Sequence, residues 1–491
     1  MTRSILPSVL AALFVCGAMT GPTLAATAKR SPPPAATKPL DRALVPGAGL
    51  IRPFLFPEWQ ETRLSNGLPV LIVTKHDNPV VSLQYVLRGG ADTDPAGKSG
   101  RATLAAAVWT KGTAKQTSTA IDDMFEFYGA SLSATASRNA TEIALATPSE
   151  HFLTLLPLVA DIALHPSLPE GEITRARDLA VTELRQSEDK VADLADRALM
   201  GTLFPGHPYG QMTQGAVKSV EAMTRTDLSG FFQNQLVPAN AMLIVSGDVT
   251  PRTLLPQLEK LFGKTPAGKA PVVTVPTPNA VGAMSITVID KPGAVQSALR
   301  VATLGLTAKD KDADAWEVAD AMLGGLFTSR LNVNLRETKG YTYGAGTRFS
   351  RWSQPGYIQA RTSVDAKYTV PAVGEILKEF ARIRQEPVSA AELNKAKQYL
   401  IGTYANAYET VNDIGDEIAT LKLLGLPGSY VREYRDRIAK VTAADVLRVS
   451  KRFLDPAHLT VIVAGDAKQT QGLQEFGKVT LVPAATLVAK P

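Results

Sequence analysis

From about Trp59 onward, apolar and polar positions fall into regular periods, and these predict the elements of the chain. A turn signal at 64–68 leads into Val70, Leu71, Ile72 and Val73, a short apolar run expected as a strand. A second strand is expected over 80–87, closed by Gly89 and Gly90. The period then lengthens. Residues 101–109 and 118–128 read as helices, with Ile121, Met124, Phe125 and Tyr128 on one stripe of the second. Residues 131–146 alternate as two short strands, 152–164 form a strongly apolar helix, and 172–187 a charged amphipathic one. Residues 241–246 are apolar throughout and read as a buried strand ending at Gly247 and Asp248.

The second half echoes the first. Thr224, Asp227, Pro238 and Gly247 recur as Thr442, Asp445, Pro456 and Gly465 at one constant offset, 218 positions. The EITRAR segment starting at Glu172 returns as ELNKAK at Glu392, 220 positions on. A register held over that span implies a duplicated domain rather than a short solenoid repeat. Helices mixed with strands, without strict strand–helix–strand alternation, indicate an α+β class. The expected architecture is two homologous halves, each a mainly antiparallel sheet covered by helices. The expected divisions are a 58–262 domain, a Pro/Gly-rich linker over 263–283, a 284–470 domain and a tail over 471–491.

The N-terminus changes where the protein is expected to work. Arg3 precedes a short apolar run over 5–19, and small residues follow near 23–28. This is the pattern of a cleaved secretory signal over 1–25, too short for a membrane anchor, and it implies a periplasmic protein with no membrane association after cleavage. A Pro-rich leader over 26–57 follows. The single cysteine, Cys16, lies inside the signal, so the mature chain has neither disulfides nor thiolate ligands. Bulky Val15 argues against lipid attachment at Cys16. The chain has 491 residues, 45% hydrophobic and 20% charged, which is ample for sizeable cores. Its net charge of +6 is scattered, without the basic stripe and interleaved aromatics of a nucleic-acid binder.

The strongest motif is LGGLFTSRLNVNLRETKGYTY over 323–343. It resembles the C-terminal signature of the insulinase-type metallopeptidases, which include the mitochondrial processing peptidase. The likeness runs from about Trp59 to Asp466 and extends to the duplicated halves. It implies that each chain forms half of a clamshell. The family's catalytic signature is His-x-x-Glu-His on a helix of the first half, with two His ligands for zinc and Glu as general base. Here the matching segment is GRATLAAAVWTKGT over 100–113. Thr103, Ala106 and Ala107 stand at the His, Glu and His positions. Alanine offers no donor atom, and a lone hydroxyl is a poor zinc ligand. The third-ligand position falls at Glu183, which without the two His cannot hold zinc. It reads equally well as a surface carboxylate near Arg185.

No other metal site stands out. His76, His151, His165, His207 and His458 include no pair at helical i, i+3 or i, i+4 spacing. His207, in FPGHPYG over 204–210, reads as loop structure. The resemblance instead assigns function to Arg336 and Tyr343, seven residues apart. In active relatives such a pair binds the substrate backbone and stabilises the oxyanion. Gly324 and Gly325 join them as substrate-binding positions. The bland alternative puts Arg336 in an ion pair with Glu337 and Tyr343 in core packing. The implied function is a non-catalytic subunit, with no cofactor of its own, completing the zinc site of a similar secreted partner that cleaves unfolded peptides. A binding or assembly protein that keeps the fold, as in the core subunits of the cytochrome bc1 complex, is the alternative.

Overall fold

Short runs rich in β-branched and aliphatic residues, buried throughout in the central strands, build two six-stranded sheets of similar plan. In the computed structural model, residue 49 and residues 54–488 other than 273, 280 and 281 are described. The expected signal over 1–25 and most of the leader lie outside them. The first sheet contains β1 (Gln60–Arg63), β2 (Pro69–Thr74), β3 (Val80–Arg88), β4 (Ser131–Ala136), β5 (Ala140–Pro148) and β6 (Ala241–Gly247). Its order is β1-β2-β6-β3-β5-β4. The second contains β7 (Ser285–Asp290), β8 (Gln296–Leu304), β9 (Ala345–Phe349), β10 (Tyr357–Asp365), β11 (Thr460–Gly465) and β12 (Val479–Pro483), in the order β12-β7-β11-β8-β10-β9.

The registers match pair for pair. Leu71 pairs with Ile244 in the parallel β2/β6 ladder, and Thr287 with Ile462 in the parallel β7/β11 ladder. Gln84 pairs with Ile244 and Arg300 with Ile462 in the antiparallel ladders beside them. The α+β class and the duplication are therefore present. The sheets are mixed, with antiparallel pairs in the majority.

Each sheet buries one face under helices of its own half. In the first half these include α1 (Arg101–Trp109), α2 (Ser118–Phe127) and α3 (Ser149–Leu164), packed around Trp109, whose ring meets Tyr85 and Phe232. The stripe expected on α2 holds for Ile121 and Phe125, but Met124 is 37% exposed. Residues 121 and 125 are one i, i+4 pair, and Met124 lies beside it toward solvent.

The opposite faces are covered by exchange. After α4 (Glu170–Glu188), α5 (Val191–Leu203) lays Leu194, Ala198 and Leu199 against Ile289, Ala298, Ala302 and Ile462 of the second sheet. The helix Val411–Leu424 returns the arrangement, setting Ile414, Ile418 and Leu421 against Leu71, Val86, Met242 and Ile244 of the first. This explains why β6 and β11 are buried at every residue. Each fully buried Leu or Ile contributes about 1.5–3 kcal/mol of apolar burial. The exchange therefore joins the halves into one folding unit.

Two expectations at the ends change. Order begins before Trp59: Phe54 stacks on Tyr408 and Phe56 is buried edge-on to the same ring. Apolar side chains there outweigh the Pro-rich composition. Within the expected 471–491 tail, Val479–Pro483 is β12, paired in parallel with β7. No described helix is long and apolar enough to cross a membrane.

Candidate functional site

Helix α1 is started by a buried carboxylate. Asp94 accepts hydrogen bonds from the Gly100 and Ala102 backbone N–H groups, both at 2.9 Å, which satisfies donors that a helix N-terminus leaves orphaned. Burial pushes Asp94 up to about 7. Gly100 has φ +89°, and a Cβ there would lie 2.6 Å from the Gln214 carbonyl oxygen, so only glycine fits this start. The far end is pinned by Trp109, whose indole N–H donates to the Ala163 carbonyl at 3.2 Å.

So placed, α1 turns Thr103 and Ala107 toward α4. Both line a cavity of about 350 Å³ together with Glu183 and Gln214. The degenerate positions converge, apart from Ala106, which is 3% exposed and faces the core. Zinc does not fit this donor set. Thr103 Oγ1 donates to the Thr213 carbonyl at 2.7 Å. The two alanines have no donor atoms, which leaves Glu183 as the only carboxylate among the four ligand positions; Glu172 also lines the cavity but is paired with Arg175. Among the described residues no group of three or more His, Cys, Asp and Glu is arranged to hold a metal ion. Arg185 pairs with Glu221, so Glu183 is not tied to it. His207 is a structural strut. Its Nδ1 accepts from the Tyr209 N–H at 3.0 Å, so Nε2 carries the proton and donates to the Pro276 carbonyl at 2.8 Å.

The second half offers a different hollow. Gly324, Gly325, Arg336 and Tyr343 line one cavity of about 670 Å³. The loop that carries them is braced on each side. Arg330 makes a bidentate pair with Glu392, both contacts at 2.7 Å. Asn332 Nδ2 donates to the Phe327 carbonyl and its Oδ1 accepts from the Ala345 N–H, tying loop to β9. Gly324 has a packing reason as well, since a Cβ there would sit 2.3 Å from the Thr347 backbone nitrogen. Ala321–Gly325 and Val333–Thr338 are wound as π-helix, a geometry frequent at functional sites.

Arg336 lies over the Phe327 ring at 4.5 Å, with Nε 3.5 Å from Glu337 Oε1, and its side chain is 36% exposed. The ion pair of the bland alternative is thus present, but Arg336 still lines the cavity and makes no hydrogen bond to a described residue. Tyr343 is 96% exposed, which rules out core packing. Beneath the glycines lies Asp320, pushed up to about 7 by burial, with Oδ1 unpartnered among the described residues.

Sequence reasoning missed Arg300. It is 1% exposed, and its Nε donates to Asp196 of α5 at 2.6 Å while Nη2 donates to the Ala192 carbonyl. A lone arginine inside the apolar β8 run was the available signal. Further hollows follow α5 between the two sites, one sharing Thr103, Glu183 and Gln214 with the first, the next sharing Asp196, Met212 and Gln214 with that one.

Comparisons with known proteins agree with this geometry. Residues 70–216 match the model of the insulinase family, peptidase family M16, and residues 222–400 match the model described as the peptidase M16 inactive domain. The chain is 23% identical over 406 residues to "Non-peptidase homolog YmxG" of Helicobacter pylori, covering 82% of this chain and 93% of that one. It is 23% identical over 441 residues to the probable mitochondrial-processing peptidase subunit beta of Arabidopsis thaliana, covering 86% of this chain and 81% of that one. The crystal structure of a peptidase M16 inactive domain from Pseudomonas fluorescens superposes with a TM-score of 0.76 at 24% identity, over 83% of this chain and 98% of that one. With the two models spanning roughly two-thirds of its length, the chain belongs to the insulinase family of peptidases, family M16.

Proposed function

We propose that this chain is the non-catalytic subunit of a heterodimeric zinc peptidase. The observation that carries the reading is a contrast within one molecule. The ligand positions of α1 hold Thr103, Ala106 and Ala107, while Arg336 and Tyr343 stand together in a braced cavity with donors uncommitted. The zinc belongs to a partner of the same family with an intact His-x-x-Glu-His helix. This chain's own residues do the positioning: Arg336 offers forked N–H donors and Tyr343 a hydroxyl toward the carbonyl oxygens of a bound unfolded peptide. Donors aimed where negative charge develops are among the larger contributions to such catalysis. The secretory-signal pattern over 1–25 supports a periplasmic location for the pair. The "subunit beta" name of one relative supports a subunit role.

The test is Arg336→Ala in the mixed complex. Loss of one oxyanion donor predicts a fall of about 10²-fold in rate. An unchanged rate with assembly intact contradicts the role. A second reading, a non-proteolytic binding or assembly protein, is favoured by the non-peptidase name of the Helicobacter pylori relative. It predicts a complex that forms without any peptidase activity.

A further inference from the structure

The face of the second sheet that borders the Arg336/Tyr343 cavity is basic, and the duplication supplies its internal control. Along β8 and β10, Leu299, Val301, Ile358 and Ala360 point into the helical core. Arg300, Arg361 and Gln359 alternate to the other side, and Arg348 of β9 joins them there, directly across from Gln359. Arg300 and Arg361 are directly opposed on antiparallel strands. Like charges in that relation repel.

Asp196 relieves only one of them, at 2.6 Å from Arg300. Arg361 and Arg348 are exposed, and neither makes a hydrogen bond, ion pair or ring contact with a described residue. Arg361 lines the cavity that contains Arg336 and Tyr343, and Arg348 the next hollow, which it shares with Asp196. The equivalent register positions in the first sheet are Gln84 for Arg300, Ala144 for Arg361 and Thr135 for Arg348. The shared fold therefore does not require these arginines. They are specific to the half that carries the Arg336/Tyr343 cavity.

We propose that this wall selects acidic peptides. The inference rests on the peptide-binding reading of the same cavity and names its substrate class. Arg361 and Arg348 receive side-chain carboxylates of the bound peptide, for which a guanidinium fork is geometrically matched. Arg336 and Tyr343 engage its backbone. Diagonal neighbours on adjacent strands stand roughly 7–8 Å apart, so carboxylates on nearby residues of an extended peptide can reach both. A bound carboxylate also removes the unrelieved repulsion between Arg361 and Arg300.

The experiment is fluorescence anisotropy on the full processed chain, using labelled peptides identical except that a set of positions is Glu, Gln or Lys. The Glu peptide should bind about tenfold tighter than the Gln peptide at low salt, roughly 1.4 kcal/mol, and the Lys peptide weakest. Added salt should shrink the difference. The exposed double substitution Arg348→Gln/Arg361→Gln should abolish the preference, whereas Arg336→Ala should weaken all three peptides alike. Equal affinities, a preference for the Lys peptide, or a preference that survives the double substitution overturns the proposal. So does tighter binding of a single-stranded oligonucleotide of matched charge. Hydrolysis in the partner mixture without charge preference would sink the acidic-peptide class and spare the subunit reading. Charge preference without hydrolysis would do the reverse.

Discussion

In the N-terminal half, the hollow beside α1 is lined by Thr103, whose hydroxyl is committed to a backbone carbonyl, and by Ala107, which has nothing to offer. In the C-terminal half, the hollow beside the 323–343 segment is lined by an arginine, a fully exposed tyrosine and a glycine loop held by side-chain struts. Five consecutive strands of the two sheets share one order and register, but the edge strands β1 and β12 run in opposite senses relative to their neighbours. The hollows differ in the side chains that line them and in the backbone that carries them, an α-helix at α1 and π-helix within 321–338. A duplicated fold can thus carry different donor sets in its two halves, because buried sheet residues fix the packing while cavity-lining side chains vary.

The contrast can be broken most drastically by restoring the missing ligands. Thr103→His with Ala107→His places two imidazoles at i, i+4 on α1, facing the cavity that Glu183 already lines. The double variant should acquire about one zinc per chain by metal analysis, and the parent chain measured beside it is expected to hold none. Failure to gain zinc in a folded variant would mean that α1 and α4 are not placed as described.

Next in size is the exchange of helices. Leu199→Ala and Ile418→Ala each remove a buried branched side chain and should each cost about 2–5 kcal/mol. Their signature is where the loss appears. Hydrogen exchange should accelerate in β8 and β11 for Leu199→Ala, a residue of the first half, and in β3 and β6 for Ile418→Ala, a residue of the second. Acceleration confined to each residue's own half would contradict the exchange.

A smaller effect separates the two halves by pH. Asp320 is raised by burial to about 7 in the folded chain, while an unfolded aspartate titrates near about 4. Between these values the folded state keeps a proton that the unfolded state has released, so stability falls as pH rises through that window. Asp94 contributes the same sign from the other half. Asp320→Asn should flatten part of the decline in Tm from about pH 4 to about pH 7, leaving the Asp94 part. An unaltered slope would show that Asp320 is not buried as described.

The smallest effect is expected at Glu183. With no second ligand beside it, Glu183→Gln should leave the rate of the mixed complex within about twofold. A large loss would show that this half still takes part in the chemistry.

The sequence made much of this legible where local pattern and duplicated register agree. The strand and helix starts in the first half and the repeat itself follow from periodicity and spacing, whereas the site positions at Thr103, Ala107, Glu183, Arg336 and Tyr343 follow from the family resemblance. The exchanged helices were not readable. Leu194, Ala198 and Leu199 show that α5 buries a face, but amphipathicity does not say which sheet receives it. The Arg300/Arg361 opposition was equally hidden, because strand register is set by partners far away in the chain. The Pro-rich composition of 26–57 predicts a leader, and it masks Phe54 and Phe56, whose two aromatic rings seat that segment on Tyr408. β12 lay beyond the last repeated landmark, and its pairing with β7 has no counterpart in the first half, where β1 occupies the edge in antiparallel sense.

The central claim is that the active site is divided between two chains. The most direct measurement is peptide hydrolysis with parallel zinc analysis on this chain alone, on a zinc-motif relative from the same organism alone, and on their mixture. The account predicts zinc in the relative and in the mixture, and hydrolysis that depends on both chains. Stoichiometric zinc with chelator-sensitive hydrolysis in this chain alone would contradict it.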